Sequence, residues 1–399
     1  MMDNDLKEMY GIDEENPELS GEESLNPQNE LSDIYPLENI NVDQAYFSIF
    51  ELKRKYDRTK KQNADSSYSD DNGKNQIILD SEFQRNEVWT GKQKSELIES
   101  VLMGLPIPVM YLFEDKSANL IVVDGRQRLT AFFQFLDNEF ALTGLKILKS
   151  LNDLKFDDID PVYQSKLEDY QLISQVIKPP TPDSIKFQMF DRVNRGGTTL
   201  NNQEMRNALY QGNATKLLKK LTENELFKEV TQNGLKPKRM KDKYVVLRAL
   251  AFYLYFDEQL IDSNKNKIEY KGDMDDFLGK TMAYLNSISQ KRLNEIEEVF
   301  LMSLTKCKNV LGEDLFRLKK ADNQKKSPIN MNIFEVTIYI MIKLGDSEGL
   351  NKSIHDSYYR LLKSEVFLNN IGDHRDSKTK YHKRYNIICN EFKEVIKYD

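Results

Sequence analysis

Asp124-Gly125-Arg126-Gln127-Arg128 follows the apolar run Leu120–Val123 and opens a segment in which Leu129, Phe132, Phe133 and Leu136 recur at i, i+3, i+4 and i+7. The run reads as a buried strand, and the recurrence as the core-facing stripe of a helix. A strand that gives way to a helix at Asp-Gly leaves the first backbone N–H groups of that helix without intrahelical acceptors, at the positive end of its dipole. That is the chemistry of an anion site. Gly125 would admit a ligand close to the backbone, and Arg126 and Arg128 would grip phosphate oxygens in bidentate fashion. Asp124 would hold a metal ion or orient a water. The plainer reading of the same residues is an Asp-Gly turn with solvent-facing arginines.

Three further segments carry reactive or charged groups. Gln84 and Arg85 stand just before a predicted helix, beside the sole tryptophan, Trp89, and flank the same strands as the first motif. Their arginines can therefore converge on one pocket. Arg195-Gly196-Gly197-Thr198-Thr199 forms a loop, after which Asn201 or Asn202 caps the next helix. Glu204 and Arg206 are two residues apart, so they face different sides of that helix and cannot pair in the i,i+4 manner. Ordinary capping and surface charge, or a second wall of the pocket, both fit this segment. Lys236, Lys238, Arg239, Lys241 and Lys243 place five cations in the eleven residues 234–244, a pattern that suits salt-dependent DNA binding and equally a solvated helix start.

The elements that must position these groups are legible in outline. Residues 41–56 read as a short helix, and 57–76 as a polar, exposed insertion. A short strand is predicted at 76–79, and a helix over 90–104 with Gly104 as its C-terminal cap. The apolar runs 108–115 and 119–125 form a hairpin, and 170–178 is a strand ended by Pro179-Pro180. From residue 182 the chain reads as helical, although the β-branched segment 331–345 suits a strand as well as a buried helix. These elements imply an α+β protein: an acidic tail at 1–35, a mixed α/β domain at 36–180 and a helical domain at 181–399. With no Gly/Ser linker between the last two, they are expected to pack as one body.

Composition narrows the function classes. The chain has 399 residues and a formal net charge of −7. Residues 1–35 hold eleven Asp/Glu against Lys7, a balance of −10, so the remainder sits near +3. The tail has too little apolar content to offset the entropy of ordering and is expected to be mobile. Cys307 and Cys389 have neither metal-type spacing nor a disulfide framework. With no export signal and no long apolar run, a cytoplasmic location is expected. Walker, dinucleotide-binding, zincin and nucleophile-elbow motifs are all missing. Of the three histidines, only His374 and His382 lie near one another, in a polar segment that also holds Asn386. That segment is too short for a metal-dependent nuclease fold, so nuclease activity is not expected of this chain alone.

Together, "FQRNEVW", "GLPIPVMYL", "VVDGRQRLTAFFQF" and "MFDRVNRGGTTLNNQEMRNA" occur in an order and spacing that resembles the N-terminal domain of the GmrSD-type restriction enzymes, over roughly residues 40–280. The resemblance implies a ParB/sulfiredoxin-like nucleotide-binding fold with a helical extension, acting in prokaryotic defence against foreign DNA. It ties an Asp-Gly-Gln-Gln-Arg signature to binding and hydrolysis of nucleoside triphosphates, as their Mg²⁺ complexes. Asp124, Gly125, Gln127 and Arg128 match that signature, and Arg126 replaces its first glutamine. Gln84 and Arg85 match the family's Gln-Arg pair, and Asn194, Gly197, Leu200, Glu204 and Arg206 its later segment. Asp124, Gln127 and Arg128 are thereby implied as catalytic. Gln84, Arg85, Gly125, Arg126, Asn194, Glu204 and Arg206 are implied to bind nucleotide. A separate His-Asn-His nuclease subunit and DNA are the implied partners.

Overall fold

Apolar runs in its inner strands and apolar-polar alternation in the Gln171–Lys178 strand build a five-stranded mixed sheet near the N-terminus of the chain. The computed structural model describes residues 19–20, 40–64, 75–79, 89–115, 117–181, 185–186, 189, 201–312, 315–318, 327–344, 349–372 and 376–393. Its strands are β1 (Leu19–Ser20), β2 (Asn41–Ser48), β3 (Ile77–Ile78), β4 (Met110–Glu114), β5 (Leu120–Asp124), β6 (Gln171–Lys178) and β7 (Ile329–Asn330). The sheet has the order β2-β6-β4-β5-β3. β4 and β5 form the expected antiparallel hairpin, β4 runs parallel to β6, and β3 parallel to β5. β1 and β7 form a separate parallel pair. Apart from Leu19–Ser20, the acidic tail lies outside the described residues.

Among the described residues, the unit Glu30–Leu200 includes the α-helices α1 (Ile49–Ala64), α2 (Gly91–Leu102), α3 (Arg126–Leu136) and α4 (Pro161–Glu168). They supply Ile49, Leu52, Ile98, Val101, Leu129, Phe132, Phe133 and Leu167 to one core with Met110, Leu112, Leu120, Val122, Leu172 and Val176 of the sheet. The predicted stripe of α3 is therefore the buried one, with Leu129 and Phe132 both at 0% exposure. α2 begins at a reciprocal Thr90–Gln93 capping box. It ends where Gly104, at φ 76, lets its own N–H reach the Val101 carbonyl and that of Leu105 reach the Ser100 carbonyl.

One segment differs from expectation. Residues 41–48 are a strand paired along its whole length with β6, and the helix starts only at Ile49. The Ser48 hydroxyl accepts the Glu51 N–H at 3.0 Å, so Ser48-x-x-Glu51 marks the true start. That helix then runs through residues 57–64, the first part of the stretch read as a polar insertion.

The unit that begins at Asn201 is helical: α5 (Asn202–Leu209), α6 (Asn213–Glu223), α7 (Glu225–Val230), α8 (Lys241–Phe256), α9 (Met274–Ser287), α10 (Gln290–Lys306), α11 (Met331–Lys343), α12 (Asn351–Leu361), α13 (Glu365–Ile371) and α14 (Lys378–Glu391). α8 and α11 are buried on nearly every side and form its centre. This resolves the ambiguous segment at 331–345: a helix enclosed all round needs no polar face, so its apolar run carries no helical period. Among the described residues, no helix is long and apolar enough to cross a membrane.

Candidate functional site

The junction between β5 and α3 holds the Asp-Gly-Arg-Gln-Arg motif. Gly125 is the N-cap of α3, at φ 97 and ψ 6, and no side chain caps the helix. A Cβ at Gly125 would lie 2.8 Å from Met110 Cγ, so packing against β4 as well as backbone conformation demands glycine here. The pairing of β4 with β5 shifts register between Tyr111 and Leu112, opposite Asp124, which bends the strand ends beside the motif.

Arg128 projects back over this turn. It donates to Asp124 Oδ2 at 2.5 Å, and a second guanidinium nitrogen bonds the Pro108 carbonyl. Two of its five N–H donors are thus engaged. Its side chain is 11% exposed and that of Asp124 35%, so the pair sits at the edge of solvent rather than within the core. Burial pulls the Arg128 pKa below its ordinary value, and the charge and hydrogen bond of Asp124 oppose the shift. The guanidinium nevertheless stays charged. Arg126 and Gln127 occupy the first turn of α3 and are half-buried.

Electrostatically the turn is one-sided, and unlike the cation-bearing starts of α10 and α14 it has no side-chain cap. Two arginines stand in the first turn, at the positive end of the helix dipole, with no acidic residue in that turn. By contrast α2, α4, α5, α9, α10, α11 and α14 each receive a side-chain cap. A cation at a helix N-terminus costs about 0.3–1 kcal/mol, a cost that a bound anion reverses.

The other expected site residues belong to the helical unit or lie outside the described residues. Gln84, Arg85 and Asn194, with Gly197 and Leu200, lie outside them; Trp89 packs, half-buried, against the sheet core. Glu204 completes a capping box with Asn201, accepting its N–H at 2.7 Å while Asn201 Oδ1 accepts that of Glu204 at 2.8 Å. It also faces Arg239 at 3.4 Å. Arg206 is fully buried and paired with Asp275 at 2.5 Å, its side chain also bonded to Gln203. The two do point to different partners, as their spacing implies. Of the basic run, Lys236 and Lys238 are exposed, Arg239 and Lys243 half-buried and Lys241 buried.

His382 packs among aromatic rings. Its Nε2 lies 3.2 Å from the Tyr255 hydroxyl and its ring packs on Tyr255 and Phe256, while burial, followed by Lys378, lowers its pKa. His374 lies outside the described residues. Among the described residues no three His, Cys, Asp or Glu side chains gather as a metal site.

A buried ionic cluster in the helical unit was not anticipated. Arg248 donates to Asp376 at 2.8 and 3.0 Å, to Glu335 at 3.1 Å and to Asn332 at 3.1 Å, and Arg384 donates to Glu335 at 2.7 Å. Arg248, Glu335 and Arg384 are each at most 1% exposed. The signal was present: Arg248 and Glu335 are lone, opposite charges within apolar helical runs, and such charges persist only when paired.

Residues 68–211 match the family model described as GmrSD restriction endonuclease, N-terminal domain. The match is to the family that the four motifs resemble, and it spans the Gln84-Arg85, Asp124–Arg128 and Glu204–Arg206 segments. No curated protein matches the chain, and no solved structure does.

Proposed function

We propose that this protein is a component of a prokaryotic restriction or anti-phage defence system that binds and hydrolyses a nucleoside triphosphate at the β5–α3 junction. The GmrSD-type domain supports the system. The observation that carries the site is the first turn of α3: uncapped, carrying Arg126 and Arg128, and lacking any acid. In this reading a triphosphate supplies the missing negative charge. Its oxygens meet the first turn of α3, at the positive end of the helix dipole, and the guanidinium of Arg128, which Asp124 and the Pro108 carbonyl hold in place. Mg²⁺ would arrive with the phosphates. Asp124 offers a single carboxylate, which fits an ion bound chiefly through its substrate rather than a cage built by the protein. Hydrolysis then rests on positioning and charge stabilisation, with Asp124 or Gln127 orienting the water. The output is control of a separate nuclease or of DNA engagement.

Arg126 favours one variant of this reading, a sensor that binds nucleotide without turning it over, since an amide able to position water is replaced by a guanidinium. Phosphate release by wild type and Arg126→Gln, beside equilibrium binding of the same nucleotides, separates the two. Turnover in wild type establishes the hydrolase. Binding without turnover, with release gained in Arg126→Gln, establishes the sensor. No binding of any nucleotide in either protein overturns both.

A further inference from the structure

The basic run at 236–243 presents few open cations, whereas α1 presents a more coherent charged surface that motif reading passed over. Phe50, Arg54 and Arg58 are spaced i, i+4 and i+8 on this helix and all three are exposed. Phe50 is 53% exposed, an apolar ring held in water among cations. Neither arginine has an ion-pair partner among the described residues. Asp57 and Lys53 share the same surface, but Lys53 bonds Asp57 at 2.6 Å and Asp137 at 2.8 Å, so that carboxylate is already committed. The five side chains line a groove of about 320 Å³.

We propose that Phe50, Arg54 and Arg58 form a binding face for a single strand of nucleic acid, the ring stacking on an unpaired base and the guanidinium groups holding neighbouring phosphates. Arg54 and Arg58 are separated by about 6 Å along the helix axis, a step comparable with one nucleotide of an extended strand. Arginine grips phosphate bidentately where lysine acts as a point charge. The ring selects the ligand class. A duplex offers no open base to an exposed aromatic, while a single strand gains stacking energy from one. This face is distinct from the β5–α3 junction and does not depend on nucleotide binding there.

The test is fluorescence anisotropy of the full chain with a labelled oligodeoxythymidine across a salt series, with a duplex of equal length and phosphatidylserine vesicles as competitors. Wild type should bind the single strand in preference to both. Arg54→Ala with Arg58→Ala should reduce the slope of log affinity against log salt by about 1.4, or about 0.7 per lost phosphate contact. Phe50→Ala should weaken binding roughly five- to a hundredfold while leaving the slope unchanged. All three side chains are exposed, so thermal midpoints should hold and misfolding is separately visible. Arg128→Ala should bind the oligonucleotide as wild type does, which keeps this outcome independent of the nucleotide site. Absence of binding, preference for duplex or vesicle, or loss confined to Lys236→Ala with Lys238→Ala would overturn the proposal.

Discussion

Arg128 and Arg248 are both paired with carboxylates, and their settings differ in every other respect. Arg128 stands at the edge of the sheet unit with one acid, in a helix turn that carries surplus positive charge. Arg248 lies in the centre of the helical unit, where two arginines meet two acids, Glu335 and Asp376, and asparagines 332 and 370 take up further donors. Attraction to Asp376 and Glu335 outweighs burial and raises the Arg248 pKa well above its usual range. A balanced, enclosed cluster has no charge left to offer a ligand and acts as a brace between α8, α11 and α14. An unbalanced cluster open to solvent can still bind. Surplus charge and exposure, rather than the presence of arginine, separate a site from a strut.

Substitutions should widen this contrast. Glu335→Gln leaves two buried guanidinium groups facing one acid and should cost about 3–5 kcal/mol in denaturant unfolding. A loss below about 1 kcal/mol would mean that the cluster braces little. Asp242, buried at the start of the helix that carries Arg248, comes next. Burial raises its pKa to about 6, assisted by Glu223 and opposed by the Lys243 N–H and charge. A carboxyl that binds its proton more tightly when folded stabilises at low pH, and that contribution fades as pH rises from about 4 through about 6. Asp242→Asn should therefore gain on the order of 2–3 kcal/mol over wild type at pH 7.5, with the difference vanishing towards pH 4. A pH-independent difference would contradict the buried setting. In the sheet unit, Gly125→Ala meets both a left-handed backbone and Met110 and should lose about 1–3 kcal/mol. Asp124→Asn should be the mildest, costing less than about 1 kcal/mol in stability because the pair is part-exposed. If it proved as severe as Glu335→Gln, the junction would be a strut as well.

What was legible follows from the physics of each element. The β4–β5 hairpin, α2 and α3 declared themselves because each is half-buried and so carries a clear period and its own turn residues. β2 did not. It is an edge strand with Val42, Gln44 and Tyr46 exposed, and its polar and apolar residues blend into the helix that follows, leaving Ser48-x-x-Glu51 as the one usable boundary. α11 was ambiguous for the opposite reason, being buried on all sides. At the candidate site, the strand-to-helix junction and the proximity of Asp124 to Arg128 were readable from their i,i+4 spacing. Gly125 was read as room for a ligand, and the fold adds a packing reason that the sequence does not carry, since Met110 stands where a Cβ would be. The cations of 236–243 looked equivalent in sequence, and only the fold distinguishes exposed Lys236 and Lys238 from buried Lys241.

The most direct measurement is a calorimetric titration of Mg²⁺-nucleoside triphosphates into the wild-type chain and into Arg128→Ala. Saturable binding that weakens roughly ten- to a hundredfold in the variant, as expected for one lost charge-assisted contact, is the predicted result. Equal affinity in the two proteins, or no heat with any triphosphate, would contradict a triphosphate site at the head of α3.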